Sequence, residues 1–242
     1  GDNHAEVVDR SVQFLADHAD DIYQRHGVLC TVHDTPTGKA IIDVKRGRLR
    51  HRLGQVIQWY KLVSNGDTVE QKRCNVPLDI VTMLHELQQF APIRYLEGLA
   101  DSPVVTPSGE VSDVPGYDAS TRILYDPQGV KFPAVASRPS ESDARQAFNL
   151  LRDLLTDFPF ASELERCAAV SGVMTAVLRQ SMRTAPLYLY DGNTPGSGKS
   201  LLAKLAMAIA TGSSSQPTAT NATNEELAKQ VTGLLSAGQR FL

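Results

Sequence analysis

The sequence predicts an α/β fold in three stretches. A small α+β domain is expected over residues 1–100, a β-hairpin connecting segment over 101–137, and the N-terminal part of a phosphate-loop α/β core over 138–242. Three observations predict it. Apolar residues at helical spacing alternate with short β-branched runs through the first hundred positions. Prolines and glycines then crowd 101–137. Last, a short apolar run (Ala185–Tyr190), a glycine-rich octapeptide (Asn193–Ser200) and a run of helix formers (Leu201–Ala210) follow in the order strand, turn, helix.

In the first domain, Val7, Val8, Val12, Leu15 and Ile22 recur at helical spacing and predict a helix near 5–24 that Gly27 ends. Residues 28–32 and 40–44 are β-branched runs separated by Asp34-Thr35-Pro36-Thr37-Gly38, which predicts a hairpin. A helix from about Leu49 to Val63 follows, then a short strand within Thr68–Lys72, then a helix that Pro77 opens and that runs to about Phe90. A winged-helix-like arrangement is one option for this domain. Past the connecting segment, Ser140-Glu141-Ser142-Asp143 offers N-capping chemistry for a helix to about Phe158, and a second helix is expected over 161–182. Thr223-Asn224-Glu225-Glu226 has capping-box spacing, and Arg240-Phe241-Leu242 begins what reads as a strand.

The octapeptide Asn193-Thr194-Pro195-Gly196-Ser197-Gly198-Lys199-Ser200 carries the chemistry. A triphosphate concentrates negative charge, and a loop that holds it must turn many backbone N–H groups inward. Gly196 and Gly198 supply that backbone freedom and lack the β-carbon that would keep the phosphates away. The helix that starts near Lys199 adds unpaired N–H groups and the positive end of its dipole. Lys199 is placed to reach the β- and γ-phosphates of ATP, and the Ser200 hydroxyl to ligate Mg²⁺. The usual pattern opens with glycine; here that position is Asn193, a residue tolerant of left-handed angles, with Gly192 just before it.

Hydrolysis also needs a carboxylate that holds the Mg²⁺ shell. Past Ser200 the only acids are Glu225 and Glu226, both at a predicted helix start, where capping explains them. The expected carboxylate would follow the strand that begins at Phe241-Leu242. The sequence is therefore expected to be a fragment of a longer ATPase that binds nucleotide weakly and hydrolyses it poorly.

Composition sets outer bounds. Hydrophobic residues make up 42% and charged residues 21% of the 242, as in ordinary globular chains, and the net charge of −3 means that any nucleic-acid surface must be local. The local candidate is Lys45-Arg46-Gly47-Arg48-Leu49-Arg50-His51-Arg52, where Lys45, Arg46, Arg48, Arg50 and Arg52 occur without an acid. A solvated turn and helix face explains the same run. Cys30, Cys74 and Cys167 are few and far apart, which argues against a disulfide framework and fits a reducing cytoplasm. His26, Cys30 and His33 lack a second cluster to complete a metal site. No apolar run is long enough to span a bilayer, so no membrane partner is expected.

Thr194-Pro195-Gly196-Ser197-Gly198-Lys199-Ser200 resembles the loop of AAA+ ATPases. Pro186–Gly212, with Thr223–Glu226 and Leu234–Gly238, is similar to phage- and plasmid-type primase–helicase ATPases of mobile elements (superfamily-three-like). Pro103–Gly109, Pro115–Asp118 and Leu124-Tyr125 resemble the region that precedes the ATPase in such proteins. The resemblance implies an ATP-dependent DNA helicase or translocase in replication of a phage or integrated element. It also implies a homo-oligomeric ring, with an arginine from a neighbouring subunit completing each site. No position here matches that arginine or the metal-binding carboxylate. Two other readings stand beside it: a DNA-binding or assembly module without catalysis, and a P-loop small-molecule kinase.

Overall fold

The computed structural model describes residues 4–35, 38–66, 68–136, 138–179, 181–192, 194–212 and 223–236. The chain is mixed α/β, with seven helices and several small sheets among these residues. It divides into two compact units, Gly1–Glu97 and Gly98–Leu242, so the stretch expected to connect two domains belongs to the second unit.

In the first unit α1 (His4–His18) buries Val8, Val12 and Leu15 along one face. It stops earlier than the predicted 5–24, where Asp20 and Asp21 would face the negative end of the helix dipole. Gly27 has a different role from the helix stop expected of it. His26 and Gly27 both have positive φ (48° and 79°) and form a two-residue turn between β1 (Tyr23–Arg25) and β2 (Val28–Thr35). Two such residues match the right-handed twist of a hairpin. β3 (Gly38–Asp43) pairs antiparallel with β2, placing Val32 opposite Ile41. The sheet order is β1-β2-β3.

α2 spans Arg46–Val56, not 49–63. Ile57 is already extended, and Tyr60–Asn65 forms β4, paired with β5 (Thr68–Arg73). Ile57, Trp59, Tyr60 and Val63 are β-branched or aromatic, and here that preference overrides the apolar spacing. The Cys74 N–H donates to the Trp59 carbonyl and closes the base of this hairpin. α3 (Leu78–Glu86) starts after Pro77, which is the N-cap and not the first helical residue.

The core of this unit gathers Leu15, Leu49, Leu53, Leu84 and Phe90, all fully buried, from three mutually packed helices and the loop after α3. Gln24 ties that loop to β1: its amide nitrogen donates to the carbonyls of Phe90 and Ile93, and its amide oxygen accepts from the Phe90 N–H. Cys30 lies in this interior, and burial pushes its thiol up to about 12, with Arg25 opposing the shift and Asp43 adding to it. The unfolded thiol ionises first, so the contribution of Cys30 to stability is full below about pH 9 and falls as pH rises toward about 12. A thiol-reagent titration near neutral pH is expected to modify exposed Cys167 and to spare Cys30 until the chain is unfolded.

In the second unit β6 (Gly98–Ala100) runs parallel to β10 (Ile123–Tyr125), which pairs antiparallel with β9 (Gly116–Asp118). β7 (Val104–Val105) and β8 (Val111–Ser112) form a separate small hairpin. Asp118 accepts from the Ser120 hydroxyl and N–H, and these bonds hold its carboxyl down near 2. α4 (Glu141–Asp153) carries a full capping box between Ser140 and Asp143, and Ser162 caps α5 (Glu163–Leu178). α6 (Lys199–Thr211) packs on α5, and Leu155, Ala169, Val170 and Leu202 fill the space between. α7 (Asn224–Ser236) opens with the capping box that its spacing predicts, Thr223 and Glu226 bonding each other's N–H groups. Arg240–Leu242, read from sequence as the beginning of a strand, lies outside the described residues. Among the described residues no helix is long and apolar enough to cross a membrane.

Ala185–Tyr190 departs from expectation. It forms no strand among the described residues, and Leu187 and Leu189 are 96% and 88% exposed. Strand character needs a neighbouring ladder as well as suitable residues. The segment is nonetheless two-sided. Tyr188 turns to α5, where its hydroxyl is 2.9 Å from both Ser171 and Thr175 hydroxyls. Tyr190 packs on the core of this unit, and burial pushes its phenol above the usual tyrosine range. Gly172 permits this approach, because a β-carbon there would lie 2.6 Å from the Tyr190 hydroxyl and 3.2 Å from the Tyr188 ring. Gly172→Leu is expected to destabilise this unit by about 1–3 kcal/mol, as overpacking does, read from the midpoint of a denaturant titration.

Candidate functional site

The glycine-rich loop runs from the end of the Ala185–Tyr190 segment into α6. Its turn is made by glycines in the left-handed region: Gly196 (φ 79°) and Gly198, the N-cap of α6 (φ 87°, ψ 2°). A β-carbon at Gly198 would press on the Phe158 ring at 3.3 Å, so that wall of the loop is also closely packed. At Gly192 a β-carbon would meet the Ser197 hydroxyl at 2.7 Å. The loop therefore folds tightly on itself, and that closeness requires glycine at 192 and left-handed backbone at 196 and 198.

Lys199 is half-buried, and its ammonium donates to the Gly192 carbonyl at 3.0 Å and the Thr194 carbonyl at 3.4 Å. The cation thus lies across the mouth of the loop, held by the loop's own oxygens. The Ser197 hydroxyl is buried with no hydrogen-bond partner among the described residues. Ser200, in the first turn of α6, is exposed. The N–H of Leu202 is the first in α6 to find a backbone acceptor, Gly198. Those of Lys199, Ser200 and Leu201 have none among the described residues. Thr194, Pro195, Gly196, Ser197, Gly198, Lys199 and Ser200 form one contiguous turn leading into α6, and Asn193 lies outside the described residues. An anion with several oxygens would meet one ammonium, a set of unpaired N–H groups, an orphaned hydroxyl and the positive end of a helix. The set fits a nucleotide's phosphates, and Ser200 supplies an oxygen of the kind Mg²⁺ takes.

Glu225 and Glu226 are occupied elsewhere. Glu225 pairs with Lys229 at 2.7 Å, and Glu226 belongs to the capping box of α7. Among the described residues no group of three or more His, Cys, Asp or Glu side chains is placed to hold a metal ion.

The basic stretch is helical, and most of it is spoken for. Arg46 pairs with Glu86 at 2.5 Å and Arg52 with Asp21 at 2.7 Å, while Arg50 donates to the Val76 carbonyl at 3.0 Å. Arg48 lies against the His33 ring. Lys45 is the N-cap of α2. These contacts hold α2 to its neighbours, which the linear sequence did not reveal. Comparison with protein-family models, with curated proteins and with solved structures gives no match.

Proposed function

We propose that this chain carries the nucleotide-binding loop of an ATP-dependent DNA helicase or translocase of a phage or integrated element, acting as a homo-oligomeric ring with ATP and Mg²⁺. The observation that carries the nucleotide part is the ammonium of Lys199 resting on Gly192 and Thr194 carbonyls inside a loop turned by two left-handed glycines. An incoming phosphate offers that cation a stronger partner than neutral carbonyls do. When bound, Mg²⁺ would neutralise phosphate charge, with Ser200 as its protein ligand. The DNA and ring parts rest on the resemblance of the loop and its flanks to primase–helicase ATPases.

Binding is the step these residues support, because both acids past Ser200 already have partners. A second reading is a DNA-binding or assembly module without catalysis. A small-molecule kinase fits less well, since the first unit, with its own core, adds nothing to a compact kinase. Calorimetric titration of the chain with ATP and ADP in the presence of Mg²⁺ tests the leading reading. Uptake near one nucleotide per chain supports it, and no uptake at millimolar nucleotide rejects it.

A further inference from the structure

The first unit separates its charges sharply along the chain. Residues 45–73 hold eight lysines and arginines against two acids, Asp67 and Glu70, whereas the rest of Gly1–Glu97 holds four against eleven. This basic segment comprises α2 and the β4–β5 hairpin that follows it. The arginines of α2 are largely committed to contacts within the unit. The hairpin is not. Every residue of β5 is exposed, as are Tyr60 (52%), Leu62 (65%) and Val69 (66%), and neither strand packs closely on another element. It is an arm that projects from the unit.

The register of the arm is unfavourable for folding alone. Lys61 lies directly opposite Lys72, and Tyr60 opposite Arg73. Directly opposed side chains have β-carbons about 5 Å apart, where like charges repel and cost stability. Lys61, Lys72 and Arg73 have no ion-pair partner among the described residues. Glu70 lies opposite Val63 in the middle of the ladder, and the three cations sit at the base, where the Cys74–Trp59 hydrogen bond closes the hairpin and Arg50 reaches Val76. An unpaired cross-strand cation pair is stabilised by a polyanion that lies across it, and a nucleic-acid backbone is a polyanion with regularly spaced charges. A two-stranded ribbon also has dimensions that fit a duplex groove.

We propose that the base of the β4–β5 arm, through the cross-strand pair Lys61 and Lys72 on one face, is a nucleic-acid backbone contact of this protein. The surface deepens the DNA part of the functional reading and does not depend on the phosphate loop. It also moves the contact away from the basic run of α2, whose arginines mostly serve the fold.

The test measures binding of fluorescent single- and double-stranded DNA oligonucleotides to the whole chain by anisotropy across a salt series, together with the thermal midpoint of each variant. Lys72→Glu converts the repulsive pair with Lys61 into an attractive one. It is expected to leave the thermal midpoint unchanged or raised. Affinity should fall about tenfold at low salt, and the slope of log affinity against log salt should shrink by about one. Lys61→Gln with Lys72→Gln should lose affinity similarly and gives a second reading without charge reversal. Unchanged affinity and slope in both variants overturn the proposal, as does a wild-type chain that binds neither oligonucleotide at low salt. Equal weakening by Leu62→Gln, with no loss in the lysine variants, also overturns it and points to a protein partner on the arm's apolar side. Lys199→Ala should bind DNA without nucleotide as the wild type does. Failure of nucleotide uptake and failure of the arm are thus read separately.

Discussion

Lys199→Ala is expected to weaken ATP binding about 100-fold in calorimetric titration with Mg²⁺. The side chain supplies the only cation in the glycine-rich loop, and it lies at the loop's mouth. Charge-assisted hydrogen bonds to phosphate contribute about 1.5–3 kcal/mol each, and a loss near 3 kcal/mol is about two decades in affinity. The same substitution should scarcely move the thermal midpoint, since the ammonium is only half-buried and its present partners are carbonyls. Lys204→Ala, five residues on in the same helix, removes an equal charge outside the loop and should leave affinity within about twofold of wild type. Equal binding by wild type and Lys199→Ala would show that nucleotide, if taken up at all, is held somewhere else.

Phe90→Ala should be the most damaging single change in the first unit, costing about 3–5 kcal/mol. The ring is fully buried among helices α1, α2 and α3. The backbone bonds of Phe90 to Gln24 would survive, so the variant removes packing and leaves the tie between β1 and the loop after α3. Whole domains are stable by about 5–15 kcal/mol, so a loss of this size brings the unit close to unfolding at ambient temperature. Urea titration should show an early transition for Gly1–Glu97 with nucleotide uptake by the second unit retained, because each unit has its own core. A midpoint shift equivalent to less than about 1 kcal/mol would contradict the packing described for Phe90.

The mixed α/β character and most helices were legible because their signals are local: apolar spacing in α1, capping chemistry at Ser140 and Thr223, glycines before α6. The candidate loop was legible for the same reason, since glycine conformation and a helix start are set within a few residues. What was not legible depends on partners distant in the chain. Arg46 meets Glu86 forty positions on, so a basic run that looked free is partly an internal clamp. α2 ends where Ile57 turns extended, a choice that depends on pairing with residues beyond Thr68. The opposition of Lys61 and Lys72 exists only in the register of the folded hairpin. Ala185–Tyr190 has the composition of a strand, yet composition cannot supply the ladder.

That last segment has a practical consequence at the bench. Leu187 and Leu189, two residues apart and almost wholly bare on a segment with no ladder among the described residues, offer an attachment point for another molecule in the same state. Concentrated stocks of this polypeptide should therefore cloud before dilute ones do. A lysine in place of either leucine is the natural first remedy for anyone preparing crystals or spectra.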